Sequence, residues 1–316
     1  MGARESMMMR VRAAIAVVLT GVLLGVSGCA LRPPGSDGDL VDDWQALTAP
    51  KFDVPSVGMC LDSPTKPAWD PTFVRATPIE CDRGHTLEVA LIGTVEGNAA
   101  QGSEPPGIGS DGLRAAYAAC DKGANEYLGG DWHTGMFGIN VQMPNQATWR
   151  GGLRSYVCSI FTLNDAYGKM SFGSAPVKGT LAGSAPNAIR CLEVDGTKDA
   201  EGWWDDVNGL TPIDCTRPHE AEFIGTAQVG TAGGPEPAAD AIRKTMLDRC
   251  WTLGAAYLGL TESEMDARPE FGVAWDGVDD LQWEAGDRNL RCFVLLSPGK
   301  KARASIKGIG KKALPI

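Results

Sequence analysis

The sequence has no C-x2-C pair and no G-x-S-x-G, and it has only three histidines. The first absence removes support for a zinc ribbon or a thioredoxin-like redox motif. The other two leave serine-hydrolase logic without its nucleophile elbow and with few candidate bases. Its most apolar run, AAIAVVLTGVLLGV, holds about 14 residues, too few to span a bilayer. Basic residues are outnumbered, 29 Lys and Arg against 39 Asp and Glu, and the resulting charge of -10 argues against nucleic acid as a partner. The one dinucleotide-like string, Gly107-x-Gly109-x2-Gly112, follows EGNAAQGSEPP rather than a strand. It therefore reads as a loop with Ser110 or Asp111 capping the helix that follows.

What is present begins with an address. MGARESMMMRVR is a basic n-region ahead of the apolar run, so residues 1–28 read as an export signal peptide. The run ends in Val26-Ser27-Gly28-Cys29, which resembles a bacterial lipobox. There the Cys29 thiol accepts a diacylglycerol and becomes the new N-terminus, and two or more acyl chains, palmitate among them, hold a protein stably on a membrane. The expectation is a lipoprotein on the extracytoplasmic face of the cell membrane, anchored without spanning it. Residues 29–50 are rich in Pro, Gly and Asp and read as a flexible tether.

Beyond Cys29 there are eight cysteines: Cys60, Cys81, Cys120, Cys158, Cys191, Cys215, Cys250 and Cys292. An even number in an exported chain points to disulfides. They form two quartets, and other residues keep step with them. TPIECDRGHTLE at 77–88 is echoed by TPIDCTRPHEAE at 211–222. Cys120 with Tyr127-Leu128-Gly129 is echoed by Cys250 with Tyr257-Leu258-Gly259, and Trp149-x2-Gly152-x-Arg154-x3-Cys158 by Trp283-x2-Gly286-x-Arg288-x3-Cys292. So many ordered matches indicate an internal duplication, with modules at 51–165 and 187–297, a linker at 166–186 and a basic tail at 298–316.

Within each module, Gly58 to Leu61 and Ile189 to Val194 read as a first strand, and HTLEVALIGTV and HEAEFIGTAQV as a second, longer one. Leu113, Tyr117, Cys120, Ala124 and Tyr127 recur at helical spacing and stop at Gly129; Ile242, Met246, Cys250 and Tyr257 do the same before Gly259. FGINVQM and FGVAW supply a third strand, RSYVCSIFTL and NLRCFVLL a fourth. The fold class is α+β: two tandem homologous modules, each a small antiparallel sheet with one packed helix, β-β-α-β-β, disulfide-stapled. Four cysteines allow three pairings, among which sequence cannot choose. The working pairing is Cys60 to Cys81 and Cys120 to Cys158, repeated as Cys191 to Cys215 and Cys250 to Cys292. It would tie the first two strands together and fix the helix to the last strand.

By residue type, His85 with Glu88 and His219 with Glu222 are the best metal or catalytic candidates. On a strand, residues three apart point to opposite faces, so the pairs are not expected to converge on an ion without a bulge. A neighbouring oxidised cysteine can be neither ligand nor nucleophile. The reading preferred here is that each His and Glu hydrogen-bonds within its module, with no cofactor and no catalytic constellation. His133 has no counterpart in the second copy and reads as a surface loop residue, and the acidic stretch 276–287 as a solvated face. Trp69 and Trp204, the latter beside Trp203, read as lying in polar loops, and Trp149 with Arg154 and Trp283 with Arg288 precede strands. Loop Trp and Arg suit sugar stacking or a partner hot spot; they equally suit covering a sheet. The tail suits either anionic lipid or a frayed terminus.

The recurring C-L, P-x-x-C-x3-H-x2-E, helix Cys and W-x2-G-x-R-x3-C pattern, across residues 50–297, resembles the septum-formation domain family of actinobacterial envelope proteins. Gly84 stands before the His of the first copy, where Pro218 in the second is closer to the family form. The resemblance implies an extracytoplasmic, non-enzymatic binding or scaffold role in the cell envelope or septum, with an unidentified envelope protein or cell-wall polymer as partner. Two alternatives are a glycan-binding module using Trp69 and Trp204, and a metal-dependent hydrolase using the His and Glu pairs.

Overall fold

A computed structural model describes residues 50–63, 76–231, 234–277 and 280–316. The signal run, Cys29, most of the tether and Trp69 lie outside the described residues. Among the described residues no helix is long and apolar enough to cross a membrane.

The first half builds β1 (Cys60–Asp62), β2 (Thr77–Ile79) and β3 (Leu87–Thr94), then helix α1 (Asp111–Leu128), then β4 (Phe137–Gln142), a short helix α2 (Gln146–Arg150), β5 (Ser155–Leu163) and β6 (Met170–Ser171). The second half builds β7 (Cys191–Lys198), β8 (Trp204–Ile213), β9 (Ala221–Gln228), the long helix α3 (Ala239–Leu258), α4 (Glu262–Asp266), β10 (Phe271–Asp276), α5 (Asp280–Ala285) and β11 (Asn289–Leu296). Each half is thus a mixed α and β layer with an antiparallel sheet. The strand orders are β2-β1-β3-β5-β4, with β6 added to β5, and β8-β7-β9-β11-β10.

Local chemistry explains the boundaries. Ser110 caps α1 by accepting from the Leu113 N–H, and Gly129 closes it with φ 78°, a left-handed conformation that costs glycine little. Gly259 closes α3 in the same way, with φ 73°. The buried stripe Leu113, Tyr117, Cys120, Ala124, Tyr127 and Leu128 lays α1 on its sheet. A register shift falls between Val89 and Leu91 opposite β5, and a matching one at Cys292/Phe293 between β11 and β9. Such a bulge increases local strand twist, which lets the strand wrap under the helix.

Three strands were not foreseen, the two-residue β6 within the expected linker among them. β2 and β8 pair with β1 and β7 at one edge of each sheet, so each half runs β-β-β-α-β-β rather than β-β-α-β-β. Their sequences carry Pro78 and Pro212, which an edge strand accepts because a missing N–H can face outward. Trp204, read from sequence as a polar-loop residue, is the first residue of β8, and its indole N–H donates to the Leu296 carbonyl at 2.8 Å.

The segments after each sheet are also tied down. Gly173 forms a β-bridge with His85, and Ala302 forms one with His219. Gly179 N–H donates to the Tyr127 carbonyl and Leu181 N–H to that of Leu128; Gly308 and Gly310 do the same to Tyr257 and Leu258. Each of these straps crosses from the strand entrance to the end of the long helix. The C-terminal segment is therefore not a frayed tail: Ala302 and Ile306 are fully buried.

The disulfides are Cys60–Cys81, Cys120–Cys158, Cys191–Cys215 and Cys250–Cys292. Cys120 and Cys158 are buried, as are Cys250 and Cys292, so one bond in each half fixes the helix to the sheet from inside the core. By loop entropy the Cys120–Cys158 bond, with sequence separation 38, contributes about 4 kcal/mol. The double substitution Cys120→Ala with Cys158→Ala should lower unfolding free energy by about that amount, read from urea unfolding as a lower midpoint with a steeper slope, because the unfolded chain without the cross-link exposes more surface.

Candidate functional site

The repeated C-x3-H-x2-E motif forms one node per half. His85 and His219 sit in isolated bridges ahead of β3 and β9 rather than inside them, so the strand rule of opposite faces does not govern them. Each His therefore turns toward its Glu, against the sequence expectation. His219 Nε2 lies 2.9 Å from Glu222 Oε1, whereas His85 Nε2 lies 4.0 Å from Glu88 Oε2. The strap explains the difference. Opposite His85 stands Gly173, where a Cβ would fall 2.4 Å from the imidazole Nε2; the bridge partner of His219 is Ala302, which carries a Cβ at the matching position.

Glu88 collects donors from two directions and Glu222 from three. Glu88 accepts from the Tyr127 hydroxyl at 2.5 Å and the Val177 N–H at 2.8 Å. Glu222 accepts from the Tyr257 hydroxyl at 2.6 Å, the Ile306 N–H at 2.9 Å and the Ser305 hydroxyl at 3.0 Å, besides His219. Burial disfavours its charge, but these donors outweigh burial and hold the carboxyl below its ordinary value. His219 is likewise held above its ordinary value, with Glu222 and the Arg217 carbonyl overcoming burial. All four side chains are buried, so neither member of either pair meets a partner directly.

Donor atoms of Cys60, His85 and Glu88, and of Cys191, His219 and Glu222, lie within 4.8 Å of one another, a grouping of metal-ligand types. Both sulfurs are in disulfides, however, and a metal ligand must be thiolate. As folded, the donor set does not fit an ion.

The Trp and Arg pairs also face inward. Arg154 stacks 3.9 Å over Trp149 and donates to the Ala100 and Trp149 carbonyls; Arg288 stacks 3.5 Å over Trp283 and donates to the Trp283 and Asp287 carbonyls. Both indoles are buried, so these pairs cover the end of the sheet.

A family model described as septum formation matches residues 57–292. The chain belongs to the septum-formation family. Neither curated proteins nor solved structures give a match. The matched span takes in both nodes and both Trp and Arg pairs.

One further constellation in this septum-formation chain joins the two sheets. His133, expected at the surface, is 4% exposed. Its Nδ1 lies 2.8 Å from Asp131 Oδ1 and its Nε2 3.4 Å from Asp287 Oδ2, while its ring stacks on Trp132. Asp287, expected in a solvated acidic face, is only 2% exposed. Arg291, on β11, donates through Nε to the His133 carbonyl and through its terminal nitrogens to the Phe137 and Gly135 carbonyls, and pairs with Asp276 at 3.3 Å. Sequence reasoning missed this because the partners come from different halves and have no repeat counterpart; the unmatched His133 was the one signal available.

Burial opposes charge on His133, but Asp131 and Asp287 outweigh it and raise the imidazole above its ordinary 6.5. Asp287 is lowered by His133 despite burial. The His133 contribution to stability is therefore complete below 6.5 and is lost as pH rises through the raised folded value. The Asp287 contribution has the opposite sign, being lost as pH falls below 3.8. His133→Gln should cost about 3 kcal/mol near pH 6, since it leaves buried Asp287 unpaired, and should flatten the alkaline fall of the urea midpoint. A variant whose stability keeps the wild-type pH slope would place that slope elsewhere. At the second node, Glu222→Ala strips the acceptor from Tyr257, Ser305 and Ile306. Trypsin cleavage after Lys307 should accelerate by about ten-fold or more as the strap detaches.

Proposed function

We propose that this chain is a lipid-anchored extracytoplasmic protein that acts as a non-enzymatic binding or scaffold component of cell-envelope or septum formation. Membership in the septum-formation family carries the reading. The signal run ending in Val26-Ser27-Gly28-Cys29 supports the lipid anchor. The four disulfides support an oxidising compartment.

We also read the body as two copies of one module. Equal strand order, the matching bulges, the two His and Glu nodes and the two straps support this. The His, Glu, Trp and Arg candidates are spent on internal hydrogen bonds and stacking, which favours recognition by the surface over chemistry at these residues. Residues 50–316 form one compact unit, so the tether would present both modules together, a bivalent arrangement that raises effective concentration at an envelope target.

Cys29→Ala should move the protein from the membrane fraction to the soluble fraction of cells expressing the full chain. A fluorescent fusion of the wild type should concentrate at division sites. Uniform peripheral fluorescence would remove the septal part of the reading, and a Cys29→Ala variant still in the membrane fraction would remove the anchor.

A further inference from the structure

Two disulfides lie inside the helix and sheet cores, but Cys191–Cys215 is built differently. Cys191 is buried at the start of β7, whereas Cys215, in the loop after β8, is only partly covered. An open cleft of about 410 Å³ lies against this bond, lined by Pro186, Ala188 and Arg190 on one side and Pro212, Ile213 and Asp214 on the other. Behind the bond, on the buried side, the Cys191 sulfur lies within 4.8 Å of both an imidazole nitrogen of His219 and a carboxylate oxygen of Glu222. The bond thus borders a cleft whose lining includes both cysteines, and the partly covered Cys215 is the more accessible of the two, while an imidazole and a carboxylate lie near the buried Cys191.

We propose that Cys191–Cys215 is a thiol-exchange site at which a cysteine thiol of an envelope protein is captured as a mixed disulfide. The incoming thiolate attacks Cys215 Sγ, forming a new S–S bond to it. The Cys191–Cys215 bond breaks, and its electron pair goes to Cys191 Sγ. That sulfur takes the proton shared by His219 and Glu222, leaving neutral imidazole beside the carboxylate. No oxidant or reductant is consumed, and attack by the Cys191 thiol on the mixed disulfide reverses the capture. A leaving thiol that is protonated as it departs accelerates exchange.

The fold tolerates the open bond. β7 and β8 share a ladder running from Cys191↔Ile213 to Lys198↔Trp204, so their pairing does not depend on the disulfide. The Cys250–Cys292 bond still holds α3 to the sheet. The corresponding site in the first half has the same grouping of sulfur, imidazole and carboxylate and a partly covered Cys81, but its strand pairing is shorter, from Cys60↔Ile79 to Asp62↔Thr77, and His85 stands 4.0 Å from Glu88. Charges around the second site are Glu222 behind the imidazole, Tyr257 on that carboxylate, Lys301 on Glu220, and Arg190 and Asp214 on the rim. The rim thus bears one charge of each sign. The exchange chemistry does not rest on the scaffold reading and stands or falls separately from it.

The full chain, exposed to reduced glutathione and quenched with acid, is mapped by mass spectrometry. Glutathione should appear on Cys215 and free thiol on Cys191, about ten-fold or more ahead of any opening at Cys60–Cys81. His219→Gln should slow that step by about ten-fold or more and alter its dependence on pH. Ala302→Gly, which gives His219 the same bridge residue that His85 has and retains every charge, should slow it to a lesser degree. Glutathione on Cys191, equal rates at the two peripheral disulfides, or opening only together with Cys120–Cys158 and Cys250–Cys292 would overturn the proposal. The position and ranking of the adducts are read on the wild type, so a poorly folded variant does not blunt the test.

Discussion

The molecule depends on two buried carboxylates. Glu88 and Glu222 are each 1% exposed, and a carboxylate taken out of water without partners costs several kcal/mol. That cost falls away only when donors arrive, and they come from distant parts of the chain: the hydroxyl of the long helix, the backbone N–H of the strap and, for Glu222, an imidazole from the strand entrance. Satisfying one charge therefore positions helix end, sheet edge and strap together. Tyr127 and Tyr257 sit near their helix C-termini, so the same bond sets how far each helix runs before its glycine stop.

Much of this was legible in the sequence, for identifiable reasons. The strands around Leu87 and Ser155, and their repeats, are long and apolar, and the helices carry a 3.6-residue stripe with a glycine stop, so period and punctuation agree. The disulfide pairs followed once strands and helix were placed. What escaped were features whose determinants are non-local. β2 and β8 are polar, Pro-bearing edges that take their hydrogen bonds from a neighbour and show no alternation of their own. The straps resemble loops in composition because their order comes from the helix carbonyls and the buried carboxylates. The convergence of His and Glu turned on a bridge residue lying outside the strand, a boundary of two residues that periodicity does not resolve.

The joint between the halves is where repeat reasoning fails most clearly. The repeated motifs show what the two halves share, whereas His133, Asp287 and Arg291 join the halves without a repeat counterpart. Arg291 ties three backbone carbonyls of the other surface and its own sheet's Asp276 into a single network, and Trp132 lies 5.5 Å from its guanidinium. A fully satisfied buried network of this kind resists sliding, because any displacement strands a charge. The two sheets are therefore held in one arrangement rather than strung along a linker.

Placement also separates two uses of the same cross-link. Bonds between α1 and β5 and between α3 and β11 are sealed by core residues, and a thiolate cannot approach them without unfolding the half that contains them. Bonds at the strand entrance are peripheral, and there the difference between two otherwise matched sites comes down to one methyl group. Gly173 leaves room for His85 to stand 4.0 Å from Glu88; at the second site the bridge residue is Ala302, and His219 stands 2.9 Å from Glu222. An imidazole paired to a carboxylate stays protonated to higher pH, and a protonated neighbour is what a departing thiolate needs. A duplicated scaffold with a small change in its strap can thus keep one peripheral cross-link as architecture and turn the other toward exchange, without altering the residues of the motif itself.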